Sequence, residues 1–202
     1  MTTYSLEGRV DTGSRRRLKT IYILSADDGA GVIPATSNGV TVAEYGSGVI
    51  HKSVFTLSGV SVTMTDATTA GCHGSIKLAD LPVGLIKYIG GTASLTIARV
   101  GTAISATAAV VASVGSVTTA TDNAALTTTE ADLIPSTAAP LTAGVGAVAG
   151  KYATAAGAIL DGTSTPVDFF LNFAIPDADC TGSDALTVNG TVTLVWANLG
   201  DV

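Results

Sequence analysis

The chain is 202 residues long, with 47% hydrophobic and 13% charged residues and a formal net charge of −6. That length suits one domain able to bury a core without metal or disulfide staples, and no apolar run reaches the roughly 20 residues a membrane-spanning helix needs. The apolar fraction is largely Ala and Val interleaved with Thr, Ser and Gly, which favours strands and tight turns over helices.

The first segment, "MTTYSLEGRVDTGSRRRLK", is too polar for a secretory signal, so a soluble chain is expected. Arg9, Arg15, Arg16, Arg17 and Lys19 are half of the ten basic residues. They form a basic arm, residues 1–20, ahead of a single domain expected over 21–202. Such a run is a solvated face, a dock for an acidic protein surface, or a nucleic-acid contact. After Arg99 the only base is Lys151, against nine acids from Asp122 to Asp201, so no nucleic-acid groove is expected on the body.

Strand signals begin with "SVFTLSGVSVTM". The apolar phase moves from odd positions (Phe55, Leu57) to even ones (Val60, Val62, Met64), which predicts a bulge at Gly59. In "GSIKLADLPVGLIKYIGGTASLTIARVG", Leu81-Pro82-Val83-Gly84 and Gly90-Gly91 separate three short apolar runs, the cadence of an antiparallel meander. "TTTEADLIP" allows one helical turn capped by Thr128 or Thr129. The Ala-rich stretch 135–162 contains Gly144, Gly146, Gly150 and Gly157, each costing about 1 kcal/mol in a helix relative to Ala. It reads as a loop and then a strand near 151–160. In "PVDFFLNFAIP", Phe169, Leu171, Phe173 and Ile175 share one face between bracketing prolines. In "LTVNGTVTLVWAN", Val188, Val192, Leu194 and Trp196 alternate with Thr191, Thr193 and Val195. These last two strands are expected at the centre of the core, with Trp196 packed against Phe169, Leu171 or Phe173.

Few side chains carry chemistry. The chain has only His51 and His73 as histidines, neither in a nucleophile-elbow pattern. His73 beside Cys72 lacks the further ligands that zinc requires. Cys72 and Cys180 are expected as unpaired thiols, because an intracellular start offers no oxidising compartment. Asp177, Asp179 and Asp184 lack the ordered spacing of a calcium loop and read as a solvated hairpin tip. Asn189-Gly190-Thr191 matches a glycosylation acceptor but reads better as a bend or bulge in the last strand. No cofactor is expected, and an enzyme is disfavoured.

On "TEADLIPSTAA" (129–139), "LDGTSTPVDFFLNFAIPDAD" (160–179) and "LTVNGTVTLVWANLGD" (186–201), the chain resembles small virion structural proteins of tailed bacteriophages, of the capsid decoration type. The likeness covers about the last 75 residues well and the first 70 poorly. It implies an all-β, antiparallel jelly-roll-like β-sandwich, made in the host cytoplasm and carried on the capsid exterior. Its partners would be the major capsid protein and itself, as a homotrimer, with no nucleic acid or membrane involved. In that setting Arg9, Arg15, Arg16, Arg17 and Lys19 would be the capsid-binding residues, and Phe169, Leu171, Phe173 and Trp196 the core. A tail, fibre or receptor-binding module of a virion, or a carbohydrate-binding sandwich, are the alternatives.

Overall fold

The computed structural model describes residues 32–34, 39–47, 50–119, 125–153 and 159–200. Strands take 64% of them, and no α-helix occurs among them. The strands are β1 (Ile33–Pro34), β2 (Val40–Ser47), β3 (Ile50–Asp66), β4 (Cys72–Asp80), β5 (Gly84–Arg99), β6 (Val111–Gly115), β7 (Ile134–Ala138), β8 (Val145–Ala153), β9 (Ile159–Gly162), β10 (Asp168–Ile175) and β11 (Asp184–Asn198). Every pairing between these strands is antiparallel, along the path β7-β6-β10-β4-β3-β11-β5-β8, with β1 on β4, β2 on β3 and β9 on β5.

β3 and β4 meet only where Thr65 and Asp66 face His73 and Cys72. Past that hairpin the sheet curls, so that one core is lined from both lobes: Leu95 of β5 and Val148 of β8 surround the same small gap as Val114 of β6, Ile134 of β7 and Leu171 of β10. The largest sealed side chains are Trp196, Tyr88, Phe55, Phe169 and Phe173.

β3 buries Phe55 and Leu57, then Val60, Val62 and Met64. The phase switch has the expected cause. Val188 pairs with Val60 and Gly190 with Leu57, so Ser58 and Gly59 together oppose Asn189. Gly59 holds φ +64°, a left-handed conformation that glycine adopts without a Cβ clash, and its N–H donates to Asn189 Oδ1 at 2.7 Å. The Asn189-Gly190 irregularity in the last strand is the partner side of the same bulge. β11 is central, hydrogen-bonded to β3 on one side and β5 on the other. A 3-10 turn at Thr128–Glu130 is capped one residue earlier than expected, by Thr127, whose N–H donates to Glu130 Oε2 at 3.2 Å.

The meander expectation fails. β4 and β5 do not pair; β4 joins β10, and β5 joins β11. Alternation tells which face a residue takes, but any strand of matching pattern can supply the ladder. Gly90-Gly91 is no turn either, for β5 runs straight through it. Trp196 pairs with Tyr88 and Val195 with Gly90, which leaves Ile89 as an extra, bulged residue. A Cβ on Gly91 would stand 2.6 Å from the Tyr88 hydroxyl and 2.8 Å from the Thr193 carbonyl oxygen, so the glycine allows close packing. Among the described residues of the Ala-rich stretch helix is absent as expected, but β7 occupies 134–138 and β8 begins at Val145, earlier than the strand foreseen near 151.

The two cysteines are joined rather than free, a correction to the expectation from compartment. Cys72 opens β4 and Cys180 precedes β11, with their Cα atoms 6.0 Å apart and both side chains buried. The fold itself brings together residues that lie 108 positions apart, which local sequence does not reveal.

Candidate functional site

The outward residues of the β2-β3-β11-β5-β8 lobe make a broad face of small and hydroxyl side chains. Thr41, Thr56, Thr191 and Ser94 stand in register across four strands, and beside them run Ala43, Val54, Thr193 and Thr92. Ser61, Thr63, Thr96 and Ala147 extend the exposed surface. No described side chain of these five strands presents a carboxylate outward. Glu44 pairs with inward-facing Ser53, while Asp66 and Asp184, at strand ends, accept bonds from the backbone N–H groups of Thr68 and of Gly101 and Ala185. The face carries its charge at one end, where Lys52 lies 5.9 Å from the Tyr45 ring centroid and exposed Lys87 and Ile89 stand on β5.

Behind that end the same strands build a largely buried polar cluster. The indole Nε1–H of Trp196 donates to Ser53 Oγ at 2.9 Å, and Ser53 Oγ donates to Glu44 Oε1 at 2.6 Å. The His51 ring stacks flat on Trp196, with centroids 4.2 Å apart, and its Nδ1 lies 3.8 Å from Glu44 Oε2. Trp196 is therefore buried, as expected, but its ring partner is His51 on its own lobe, whereas Phe169, Leu171 and Phe173 stand on β10 in the other. The arrangement is not a nucleophilic triad: Ser53 is fully enclosed, and its hydroxyl hydrogen points to the carboxylate. Burial holds the Glu44 carboxyl above its usual range, against smaller opposing effects from Ser53, His51 and a Val32 backbone group. Because the folded chain keeps this proton to higher pH than the unfolded chain, stability is expected to fall as pH rises from the ordinary Glu range through the raised value. Glu44→Gln should remove that part of the pH dependence, read as urea midpoints at a series of pH values; an unchanged slope would show that the carboxyl is not the group responsible.

Described residues of the connection between β6 and β7 pack on the outer side of the other lobe, which explains why Asn172 is buried on the face of β10 opposite Leu171 and Phe173. Asn172, fully enclosed, donates through Nδ2 to the carbonyls of Val117 at 2.9 Å and Glu130 at 2.8 Å, and its Oδ1 accepts from Ser75 Oγ at 2.7 Å. Ser113 Oγ donates to the same Glu130 carbonyl at 2.7 Å, and Thr119 N–H donates to Ser75 Oγ at 2.9 Å. Asn172→Ala would remove one donor each from the Val117 and Glu130 carbonyls, leaving the Glu130 carbonyl to Ser113, and would take the acceptor from Ser75 Oγ; it is expected to cost about 1–3 kcal/mol, with amide exchange accelerating first in 116–119 and 127–131. Uniform acceleration throughout the chain would instead mean that Asn172 supports the whole core.

Asp177 is exposed, as expected of a solvated tip, but Asp179 and Asp184 are not. Asp184 accepts N–H bonds from Gly101 at 2.9 Å, Ile104 at 3.3 Å and Ala185 at 2.8 Å, and Asp179 Oδ2 accepts from Ala109 N–H at 2.8 Å. These carboxylates clamp the 101–109 connection onto the start of β11. Burial pushes the Asp184 carboxyl up, but the N–H groups of Ala185, Ile104, Gly101 and Ala103 outweigh it and hold it below its usual range. Sequence spacing marked the cluster; its partners lie about 80 residues away.

One facing pair of carboxylates escaped the sequence reading. Asp80 and Asp168 oppose each other across β4 and β10, with the Lys77 ammonium on both, 3.2 Å from Asp168. Burial and the bond shared with Asp168 hold Asp80 above the usual range, while that bond and Lys77 hold Asp168 below it. With the lysine already between them, the group reads as a surface ion pair. His73 stands on the opposite side of β4 from Cys72 by strand alternation, so the two do not converge on one ligand.

The basic arm, with Arg9, Arg15, Arg16, Arg17 and Lys19, lies outside the described residues. Phe169, Leu171, Phe173 and Trp196 all belong to the single buried core. No family model, curated protein or solved structure matches the chain.

Proposed function

We propose that the chain is a non-enzymatic virion structural protein, a jelly-roll-like sandwich that decorates and stabilises an icosahedral phage capsid by binding the outer surface of the major capsid protein. The observation that carries this reading is the outward face of β2, β3, β11, β5 and β8, whose described residues turn no carboxylate outward although the chain has a net charge of −6; exposed Asp161 stands beside it, on β9. Interface centres are depleted of charge because desolvating ions is expensive. Thr, Ser, Ala and Val dehydrate at far lower cost. The basic arm supplies the second contact, through charge-assisted bonds from arginine to acidic groups of the shell, and the chain forms a homotrimer on the lattice.

Occupancy on decoration-free heads tests the reading. Thr56→Asp with Thr191→Asp, exposed positions where folding should survive, is expected to abolish binding. Arg15, Arg16 and Arg17 replaced together by Ala should weaken binding and reduce its salt sensitivity. Failure of wild-type protein to bind heads would overturn the proposal. Co-purification with tails would favour the tail or receptor-binding module. The carbohydrate-binding alternative is weakened by the dispersion of its aromatics, since Tyr45 is the one exposed aromatic ring among the side chains whose burial is described.

A further inference from the structure

The junction that holds Cys72 and Cys180 contains more than a disulfide. A carboxylate oxygen of Asp66 and the two sulfurs lie within 4.8 Å of one another. The carbonyl oxygen of Gly182 stands 3.5 Å from Cys72 Sγ and 3.4 Å from Cys180 Sγ. Asp66 is held in place at both ends: its Oδ1 accepts the Thr68 N–H at 2.9 Å, and its own N–H donates to Ser183 Oγ at 3.1 Å. Four potential ligand atoms therefore converge from the β3–β4 hairpin and the turn before β11.

We propose that, when the disulfide is reduced, Cys72, Cys180 and Asp66 bind a thiophilic divalent cation of the Zn2+ type, with the Gly182 carbonyl or a water completing the shell. Two thiolates and a carboxylate are ligands that zinc takes readily, and the soft sulfurs select against calcium and magnesium. A tetrahedral site needs the sulfurs roughly 3.8 Å apart, a separation that rotation about the two Cα–Cβ bonds supplies. The bond to Thr68 fixes the carboxylate as outer partners fix ligands in metal sites.

The chemistry balances. The disulfide takes two electrons and two protons from a dithiol, which becomes a disulfide in turn; the two thiols then lose two protons as the cation binds. Reoxidation by exchange with a second disulfide, which takes the two electrons and two protons and becomes a dithiol, releases the metal. In a reducing compartment, where disulfides do not persist, the cation would tie together the turns that the covalent bond ties under oxidising conditions. This inference is independent of the capsid reading.

The test uses the full chain reduced with a water-soluble phosphine, which is oxidised to the phosphine oxide and competes little for the metal. Titration with Co2+ should show one equivalent bound, with thiolate-to-cobalt absorption that Zn2+ abolishes, and Zn2+ should raise the melting temperature of the reduced chain. The oxidised chain should bind none. Asp66→Asn, which leaves both cysteines in place, should bind Co2+ about tenfold more weakly or worse once reduced. The proposal is overturned if the reduced chain takes up no Co2+, whether or not it keeps its β circular dichroism. It is overturned equally if urea-unfolded chain binds as tightly as folded chain, or if Asp66→Asn binds like the wild type.

Discussion

Reducing the Cys72–Cys180 bond with a chelator present is expected to lower the unfolding free energy by about 4–5 kcal/mol, the loop-entropy value for a closure of this length. The bond spans 108 positions, so its loss frees a large part of the unfolded ensemble while leaving the packed contacts of the folded state in place. It also joins the start of β4 in one lobe to the approach to β11 in the other, where the ladder between β3 and β4 is only two residue pairs long. Urea unfolding with and without the phosphine reads the effect. The midpoint should fall and the slope should steepen, because a reduced chain exposes more surface when it unfolds. A shift below about 1 kcal/mol would place the connection between the lobes in side-chain packing alone. Cys72→Ala with Cys180→Ala should reproduce the loss without reductant.

Trp196→Ala is expected to cost about 3–5 kcal/mol, the range for deleting a large aromatic from a core. The side chain is fully enclosed, and its removal leaves a cavity between β3 and β5, takes the ring from beneath His51, and strips Ser53 Oγ of the Nε1–H donor. Trp196→Phe separates these contributions. It keeps a ring on His51 and most of the volume but loses the hydrogen bond, and should cost about 1–2 kcal/mol. Trp196 is the only tryptophan, so both variants are followed by far-ultraviolet circular dichroism. A loss under 1 kcal/mol for the alanine variant would mean that the cluster relaxes around the gap.

The contrast between β10 and β11 shows what local pattern conveys. For β11, apolar residues at every second position predicted the buried face and a central place in the sheet, while the extra residue that Asn189-Gly190 was expected to carry lies instead on β3, opposite Asn189. For β10, the same alternation marked Phe169, Leu171, Phe173 and Ile175 correctly, yet Asn172 on the opposite face is just as deeply buried. Its burial is possible because Val117 and Glu130 offer carbonyls from a segment about 50 residues away, and a polar residue in a strand carries no mark of whether such partners exist.

Periodicity is a property of neighbours along the chain, so the sequence by itself determined the all-β class, the inward faces of β3, β10 and β11, the glycine bulge in β3 and the absence of helix from the described residues of the Ala-rich stretch. Partnership is a property of space. The order β10-β4-β3-β11-β5, the closure of Cys72 on Cys180, the clamp that Asp184 makes on Gly101 and Ile104, and the joining of Glu44, His51, Ser53 and Trp196 arise only when the curled sheet brings distant segments within hydrogen-bonding range. Side-chain alternation is compatible with many strand orders, and the shared core and buried hydrogen bonds are what select one of them.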